Sequence, residues 1–141
     1  VVGLCVAVPL LASALVLEPS PASVADARRW VERFLQSAGV PEPCIDDAVL
    51  IVSELASNAI RHGTGDVVCH AVLLDHGRCC ISVLDGGTGQ PQIVQRSVED
   101  VGGLGLVIVE QLAVQWGIAE FQGGKAVFAV VPTAAAAPDP Q

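Results

Sequence analysis

The sequence predicts an α/β fold, a two-layer sandwich in which three helices cover one face of a mixed, mostly antiparallel sheet. Three stretches carry apolar residues at helical spacing, and five shorter runs read as strands. Two pairs of these strands are joined by short glycine-containing turns typical of hairpins. Apolar residues make up 52% of the chain and charged residues 16%, which is typical of a packed core.

The first half of the chain reads as one strand followed by two helices. A short strand is predicted over residues 14–18. Ser23 is placed to cap a first helix that runs to about residue 38, and Gly39 is the residue expected to end it. A second helix is predicted over residues 43–62, closed by the glycine that follows.

The second half of the chain reads as two hairpins separated by an irregular stretch and a helix. The predicted elements are strands 66–74 and 78–84, an irregular stretch over 86–103, a helix over 104–114, and strands 115–121 and 125–131. The turns of the two hairpins are Asp75–Gly77 and Gln122–Gly124.

The chain is predicted to hold one domain over residues 13–132. Residues 1–12 form an apolar extension of undetermined role, and residues 133–141 a disordered tail of low complexity. The first 17 residues carry no charge, so a membrane anchor is the alternative for this segment. We expect no membrane association, because the segment falls short of the roughly 20 residues of a spanning helix and Pro9 interrupts it.

Charge and cysteine content restrict the function classes. The net charge of −8 argues against nucleic-acid binding, which needs a basic face to neutralise phosphates. The five cysteines are odd in number and none has C-x-x-C spacing. They are interpreted as reduced thiols of a cytoplasmic protein, most of them buried.

The second predicted helix carries a polar face opposite its apolar stripe. Glu54, Asn58 and His62 follow one another at i+4 steps and stack on neighbouring turns. An ordinary solvated helix face explains this pattern equally well. Asn is nevertheless a poor residue inside a helix, and its carbonyl oxygen is a hard ligand suited to Mg²⁺. A carboxylate one turn earlier could orient a water or take a proton from an attacking hydroxyl.

Two glycine-rich loops have residues suited to a nucleotide. Asp85 ends an apolar strand and precedes Gly86–Gly89, so its carboxylate could accept a hydrogen bond from the exocyclic amine of adenine. An Asp-Gly turn without a ligand is the alternative. Gly103, Leu104 and Gly105 open a predicted helix, whose N-terminal N–H groups favour an anion. The sequence around Lys125 does not fit a Walker A loop.

Taken in order, these segments resemble the motifs of the GHKL ATPases, and the resemblance covers about residues 15–131. The matching segments are Glu54–Gly63 for the N-box, Asp85–Gly89 for the G1 box, Gly103–Leu106 for the G2 box and Gly124–Phe128 for a G3-like segment. Within that superfamily the chain is most similar to the short anti-sigma-factor serine kinases and their stand-alone ATP-binding relatives. Pro21–Arg29 and Trp116-Gly117 carry this closer resemblance.

The resemblance implies the GHKL fold, ATP and Mg²⁺ as cofactors, and roles for individual residues. Glu54 would be the catalytic base that activates a serine hydroxyl, and Asn58 would hold Mg²⁺. The other residues implied in nucleotide binding are His62, Asp85, Gly87, Gly89, Gly103, Leu104, Gly105 and Lys125. Gln90–Val101 would form a lid over the phosphates, with Arg96 as a phosphate contact.

Three functions follow from the resemblance. The first is a protein-serine kinase that phosphorylates a small partner, a sigma factor or an anti-sigma-factor antagonist. The second is a non-catalytic, nucleotide-sensing binding module, which the few cations of the lid favour. The third is the detached catalytic domain of a sensor histidine kinase, although no histidine-bearing dimerisation helix precedes the N-box. Relatives often dimerise, so a homodimer is consistent with each function.

Overall fold

The computed structural model describes residues 8–63, 65–86, 88–94 and 104–134, and within them the chain forms six strands and three helices. The elements are β1 (Pro9–Leu17), α1 (Ser23–Ser37), α2 (Glu42–His62), β2 (Val67–Leu74), β3 (Arg78–Asp85), β4 (Thr88–Val94), α3 (Leu104–Leu112), β5 (Gln115–Gln122) and β6 (Gly124–Pro132). In those ranges no helix combines the length and the apolar character needed to cross a bilayer.

The six strands form one sheet in the order β1-β2-β3-β6-β5-β4. All five pairings between the described strands are antiparallel. The predicted mixed sheet allowed for a parallel pair of strands, and none occurs among the described strands. Helix α2 packs on β2, β3 and β6, α1 packs on β1, and α3 contacts α2 and β5. The predicted two-layer α/β sandwich is therefore confirmed.

The core lies between α2 and the middle of the sheet. Ile51, Val52 and Leu55 of α2 are at most 2% exposed, as are Ile81 and Val83 of β3. Strand β3 alternates buried and half-buried residues, as expected for a strand with one face turned to the helices. This packing holds α2 against the central strand β3.

The N-terminal part of the chain differs from its prediction in two ways. Strand β1 begins at Pro9 rather than at Ala14, because the uncharged residues before Ala14 continue the pairing with β2. Ser23 was expected to cap α1, but it is the first helical residue and Ala22 occupies the cap position. No side chain makes a capping hydrogen bond there, and α1 is instead stabilised by its buried apolar residues.

The stretch over 86–103 was predicted to be irregular, and that prediction was wrong for Thr88–Val94. These residues form β4, an edge strand that pairs with β5. Glycine and proline suggested a loop, but proline is tolerated in an edge strand, where one side of the backbone needs no partner. The pairing register shifts between Thr88 and Gln92, so Pro91 lies within an irregular part of the ladder.

Candidate functional site

Asp85 is a buried carboxylate held at the end of the central strand β3. Its residue is 4% exposed, and its Oδ1 accepts a hydrogen bond of 2.7 Å from the backbone N–H of Lys125. Asp85 and Lys125 are register partners in the β3–β6 ladder. The sheet therefore fixes the position of this carboxylate. A fixed carboxylate is what the predicted hydrogen bond to the amine of adenine would need.

Gly63, the residue after α2, lies so close to Asp85 that any side chain there would force a neighbouring atom to move. A Cβ at Gly63 would lie 2.6 Å from Asp85 Cβ, 2.9 Å from Asp85 Oδ2 and 2.5 Å from the carbonyl oxygen of Ala59. The sequence identified Gly63 as a helix stop, and α2 does end at His62. Its second role, the close approach of helix and strand, depends on how α2 packs on β3 and was missed.

A cavity of about 250 Å³ opens beside this contact. It is lined by His62, Gly63, Asp85, Glu120, Phe121, Gly123, Gly124 and Lys125. The structure thus brings together three of the predicted residues, His62, Asp85 and Lys125. Besides Gly63, the remaining lining residues come from the β5–β6 hairpin. Glu120, Phe121 and Gly123 of this hairpin were not predicted, because their position beside Asp85 depends on the order of strands in the sheet.

The lining of this cavity suits a flat heterocycle that carries an amine. Three of its lining residues, Gly63, Gly123 and Gly124, have no side chain, which allows a planar ring to approach the backbone closely. Phe121 adds an aromatic surface, and Asp85 supplies a fixed hydrogen-bond acceptor. The cavity is smaller than the roughly 300–1,000 Å³ of sites for drug-sized ligands, so it matches a base rather than a whole nucleotide.

Glu54 lies in a different depression, between α1 and α2. This depression has a volume of about 450 Å³ and is lined by Pro21, Val24, Arg28, Glu54, Ser57, Ile60 and Arg61. The guanidinium of Arg28 donates from Nε to Ser53 Oγ at 2.6 Å, which links α1 to α2 beside Glu54. The half-buried Glu54 therefore has two arginines as neighbours in this depression and does not line the cavity of Asp85.

Asn58, the predicted metal ligand, is half-buried on α2 one turn beyond Glu54. Its Oδ1 accepts a hydrogen bond of 3.0 Å from Nη2 of Arg61. In the described part of the chain, no three His, Cys, Asp or Glu side chains are grouped to hold a metal ion. A Mg²⁺ ion here would thus depend on the Asn58 oxygen together with phosphate oxygens and water.

The remaining predicted residues belong to the glycine-rich segments. Gly89 lies in β4, and Leu104 and Gly105 are the first residues of α3. Gly87 and Gly103 lie outside the described residues. Of the predicted lid, residues 90–94 belong to β4, whereas Arg96 and the other residues up to Val101 lie outside the described ranges.

Comparison with known proteins agrees with this architecture. A crystal structure of the RsbU and RsbW domains of Rv1364c from Mycobacterium tuberculosis is similar, with a TM-score of 0.68 and 21% identity. The similarity covers 94% of this chain and 36% of that protein, so the chain spans about a third of its length. No curated protein sequence matches the chain at a significant level.

The family assignment comes from a sequence model. The model of the histidine kinase-like ATPase domain matches residues 17–130, a range that includes β1's last residue, the Asp85 cavity and most of β6. This agrees with the order of motifs in the sequence and with the position of Asp85 at the end of a central strand. The chain belongs to the family of histidine kinase-like ATPase domains, whose nucleotide is ATP.

Proposed function

We propose that this chain is a regulatory protein kinase that binds Mg²⁺-ATP and transfers phosphate to a serine of a small partner protein. By the resemblance in its sequence, that partner is a sigma factor or an anti-sigma-factor antagonist. The observation that carries the proposal is the Asp85 carboxylate, buried at 4% exposure and fixed by the Lys125 N–H beside a cavity of the size of a base.

Asp85 is the residue that would recognise adenine. With Oδ1 held by the backbone of Lys125, the carboxylate has a fixed orientation and can accept a hydrogen bond from the exocyclic amine. A hydrogen bond to a charged group contributes about 1.5–3 kcal/mol. His62 and Lys125 add two basic side chains to the lining of the same cavity, from which they would reach toward phosphates that extend out of it.

Asn58 is the residue that would hold the metal ion. When bound, Mg²⁺ neutralises charge on the phosphates and orients them for transfer. The Asn58 oxygen now accepts from the Arg61 guanidinium, so Arg61 would have to turn away. Both side chains are near the surface, and an exposed hydrogen bond of this kind is inexpensive to break.

Glu54 would act as the general base toward a protein substrate. Its carboxylate lies in a depression between α1 and α2, large enough to admit a loop of another protein. In the proposed step, the serine hydroxyl loses its proton to Glu54 as its oxygen attacks the γ-phosphorus and ADP leaves. Arg28 and Arg61 would attract an acidic or phosphorylated loop of the partner to this depression.

A second candidate function is a nucleotide-sensing binding module that transfers no phosphate. Two observations favour it: Glu54 and Asp85 line separate cavities, and the Asn58 oxygen is occupied by Arg61. In such a module, ATP binding would change the affinity of the protein for its partner, and no phosphate would be transferred.

The experiment that separates the two functions compares Glu54→Gln with wild type. Purified protein is offered labelled ATP, Mg²⁺ and a panel of small sigma-factor regulators. The kinase proposal predicts acid-stable phosphoserine on one of them, lost in Glu54→Gln while ATP affinity is retained. Glu32→Gln, an exposed position on α1, is the matched control and should transfer normally.

Three outcomes would overturn the kinase proposal. Phosphate transfer that persists in Glu54→Gln would remove the base from the mechanism. ATP binding without transfer to any partner would leave the sensing module. An acid-labile phosphate on the partner would indicate phosphohistidine and support the detached histidine-kinase domain.

A further inference from the structure

Strand β1 forms one edge of the sheet, and the features that protect an edge are confined to its start, where Pro9 and a shift of the pairing register between Pro9 and Leu11 lie. In the described part of the chain it pairs with β2 on one side only. Its nine residues include no charge, and Leu10 and Val16 are 61% and 63% exposed. From Ala12 to Leu17 the strand has neither a charge nor a proline, and its pairing with β2 is regular, so this part is a free apolar edge of the kind that pairs readily with another chain.

Helix α1 lies over this edge and forms one side of a groove. The groove has a volume of about 660 Å³ and is lined by Ser13, Leu15, Val16, Leu17, Glu18, Ser23, Asp26, Arg29, Trp30, Arg33 and Phe34. The indole Nε1 of Trp30 donates to Ser13 Oγ at 2.9 Å, which holds the helix over the middle of the strand. An edge strand beside a helix is the arrangement that several domains use to bind extended peptides.

The charges of the groove are separated along its length. Arg29 forms an ion pair with Asp26 one turn earlier on α1, so these two charges neutralise each other. Arg33 makes no ion pair with any described residue and is exposed. Because the chain reverses between β1 and α1, Arg33 lies one turn beyond Trp30, toward the N-terminal half of β1, whereas Glu18 follows the other end of the strand.

We propose that this groove binds an extended peptide segment of a partner protein, which adds as a strand to β1. Its main chain would pair with the free edge of β1, and its apolar side chains would contact Trp30 and Phe34. A carboxylate of the peptide, from an acidic side chain or the chain end, would pair with Arg33. This gives backbone hydrogen bonds for affinity and two side-chain contacts for specificity.

A second copy of this chain fits the groove less well than a peptide. A second β1 would bring its own α1, which the Trp30–Ser13 contact holds over the strand. Two such helices would then compete for the space above one pair of strands. A peptide without an attached helix avoids this conflict, and its binding does not depend on nucleotide or on the Asp85 cavity.

The test uses the peptide Val-Thr-Val-Thr-Asp-amide with fluorescein attached to its N-terminal amine. Fluorescence anisotropy measures its affinity, and hydrogen exchange of the β1 amides reports the pairing. We expect binding, with slower exchange at β1. The same peptide N-methylated along its length, which lacks backbone donors, should not bind.

Charge reversal tests the role of Arg33. In Arg33→Glu we expect about tenfold weaker binding of the acidic peptide. A second peptide, in which Lys replaces the final Asp, should bind Arg33→Glu more tightly than it binds wild type. Arg78→Glu is the matched control, because Arg78 is also exposed but lies outside the groove, at the start of β3. Arg33 is exposed as well, so both variants should fold.

Four results would overturn the proposal. They are no binding at millimolar peptide, equal binding of the N-methylated peptide, an equal effect of the Arg33 and Arg78 variants, and β1 amides that become protected in the free protein as its concentration rises. The last result would identify a second copy as the occupant.

Discussion

The contact between Gly63 and Asp85 connects the end of a helix to the carboxylate that would recognise adenine. Asp85 could be identified from the sequence because it ends an apolar strand and precedes glycines. Gly63 could be identified only as a helix stop. Its close approach, with a Cβ position 2.6 Å from Asp85 Cβ, depends on α2 and β3 packing together, and no local pattern encodes that.

Replacing Gly63 with alanine tests this contact. The added methyl group would occupy space taken by Asp85 Cβ and by the backbone oxygen of Ala59, so the strand end or the helix end must move. We expect a loss of about 1–3 kcal/mol in the free energy of unfolding, measured in urea, and weaker ATP binding, measured by calorimetry.

Gly39→Ala provides the comparison for Gly63→Ala. Gly39 has a φ of +74° and open space at its Cβ position, so alanine there adds backbone strain of about 1–2 kcal/mol without touching Asp85. ATP affinity should be unchanged in this variant. If both variants lose stability but neither loses affinity for ATP, Gly63 has no role in the site.

At the scale of elements, strands β2 and β3 carry two thiols buried against the helices. Burial raises the pKa of Cys69 to about 12, and burial followed by the neighbouring Cys80 raises the pKa of Cys79 to about 12. The ordinary thiol value is 9.0. The unfolded chain therefore releases these protons at lower pH than the folded protein, so alkaline pH favours unfolding.

This difference predicts how stability depends on pH. Below about pH 9 both thiols keep their protons in either state and contribute nothing. Between about 9 and 12, each should lower the free energy of unfolding by up to about 1.4 kcal/mol per pH unit. Urea unfolding at several pH values measures the slope, which should be flatter in the double variant Cys69→Ala/Cys79→Ala. Equal slopes would contradict the assignment.

The elements also show which parts of the fold the sequence predicts. Helices α1 and α2 and both hairpins have strong periodicity and clear turns, and their positions were predicted within a few residues. Strand β4 was missed because Gly89 and Pro91 indicate a loop, and only the free edge of β5 makes a strand favourable there. Strand β1 began earlier than expected because pairing with β2 continues through residues that show no alternation.

At the scale of the whole molecule, α2 connects the proposed nucleotide cavity to the depression that would receive a partner. His62 at its end lines the cavity, whereas Glu54, two turns earlier, lines the depression. The N-box pattern predicted that both belong to one helix, and this is confirmed. It did not predict that they line separate cavities, since that depends on the position of α1 over α2.

The central claim is that the Asp85 carboxylate recognises adenine, and calorimetric titration of ATP into wild type and Asp85→Asn tests it most directly. The variant keeps an oxygen for the Lys125 N–H but presents an amide donor where adenine also has a donor. We predict ATP binding by wild type, affinity lower by about 10–100-fold in the variant, and weaker binding of GTP, which carries an oxygen at the corresponding ring position. Equal affinity of both proteins for ATP, or no binding by wild type at millimolar ATP, would contradict the claim.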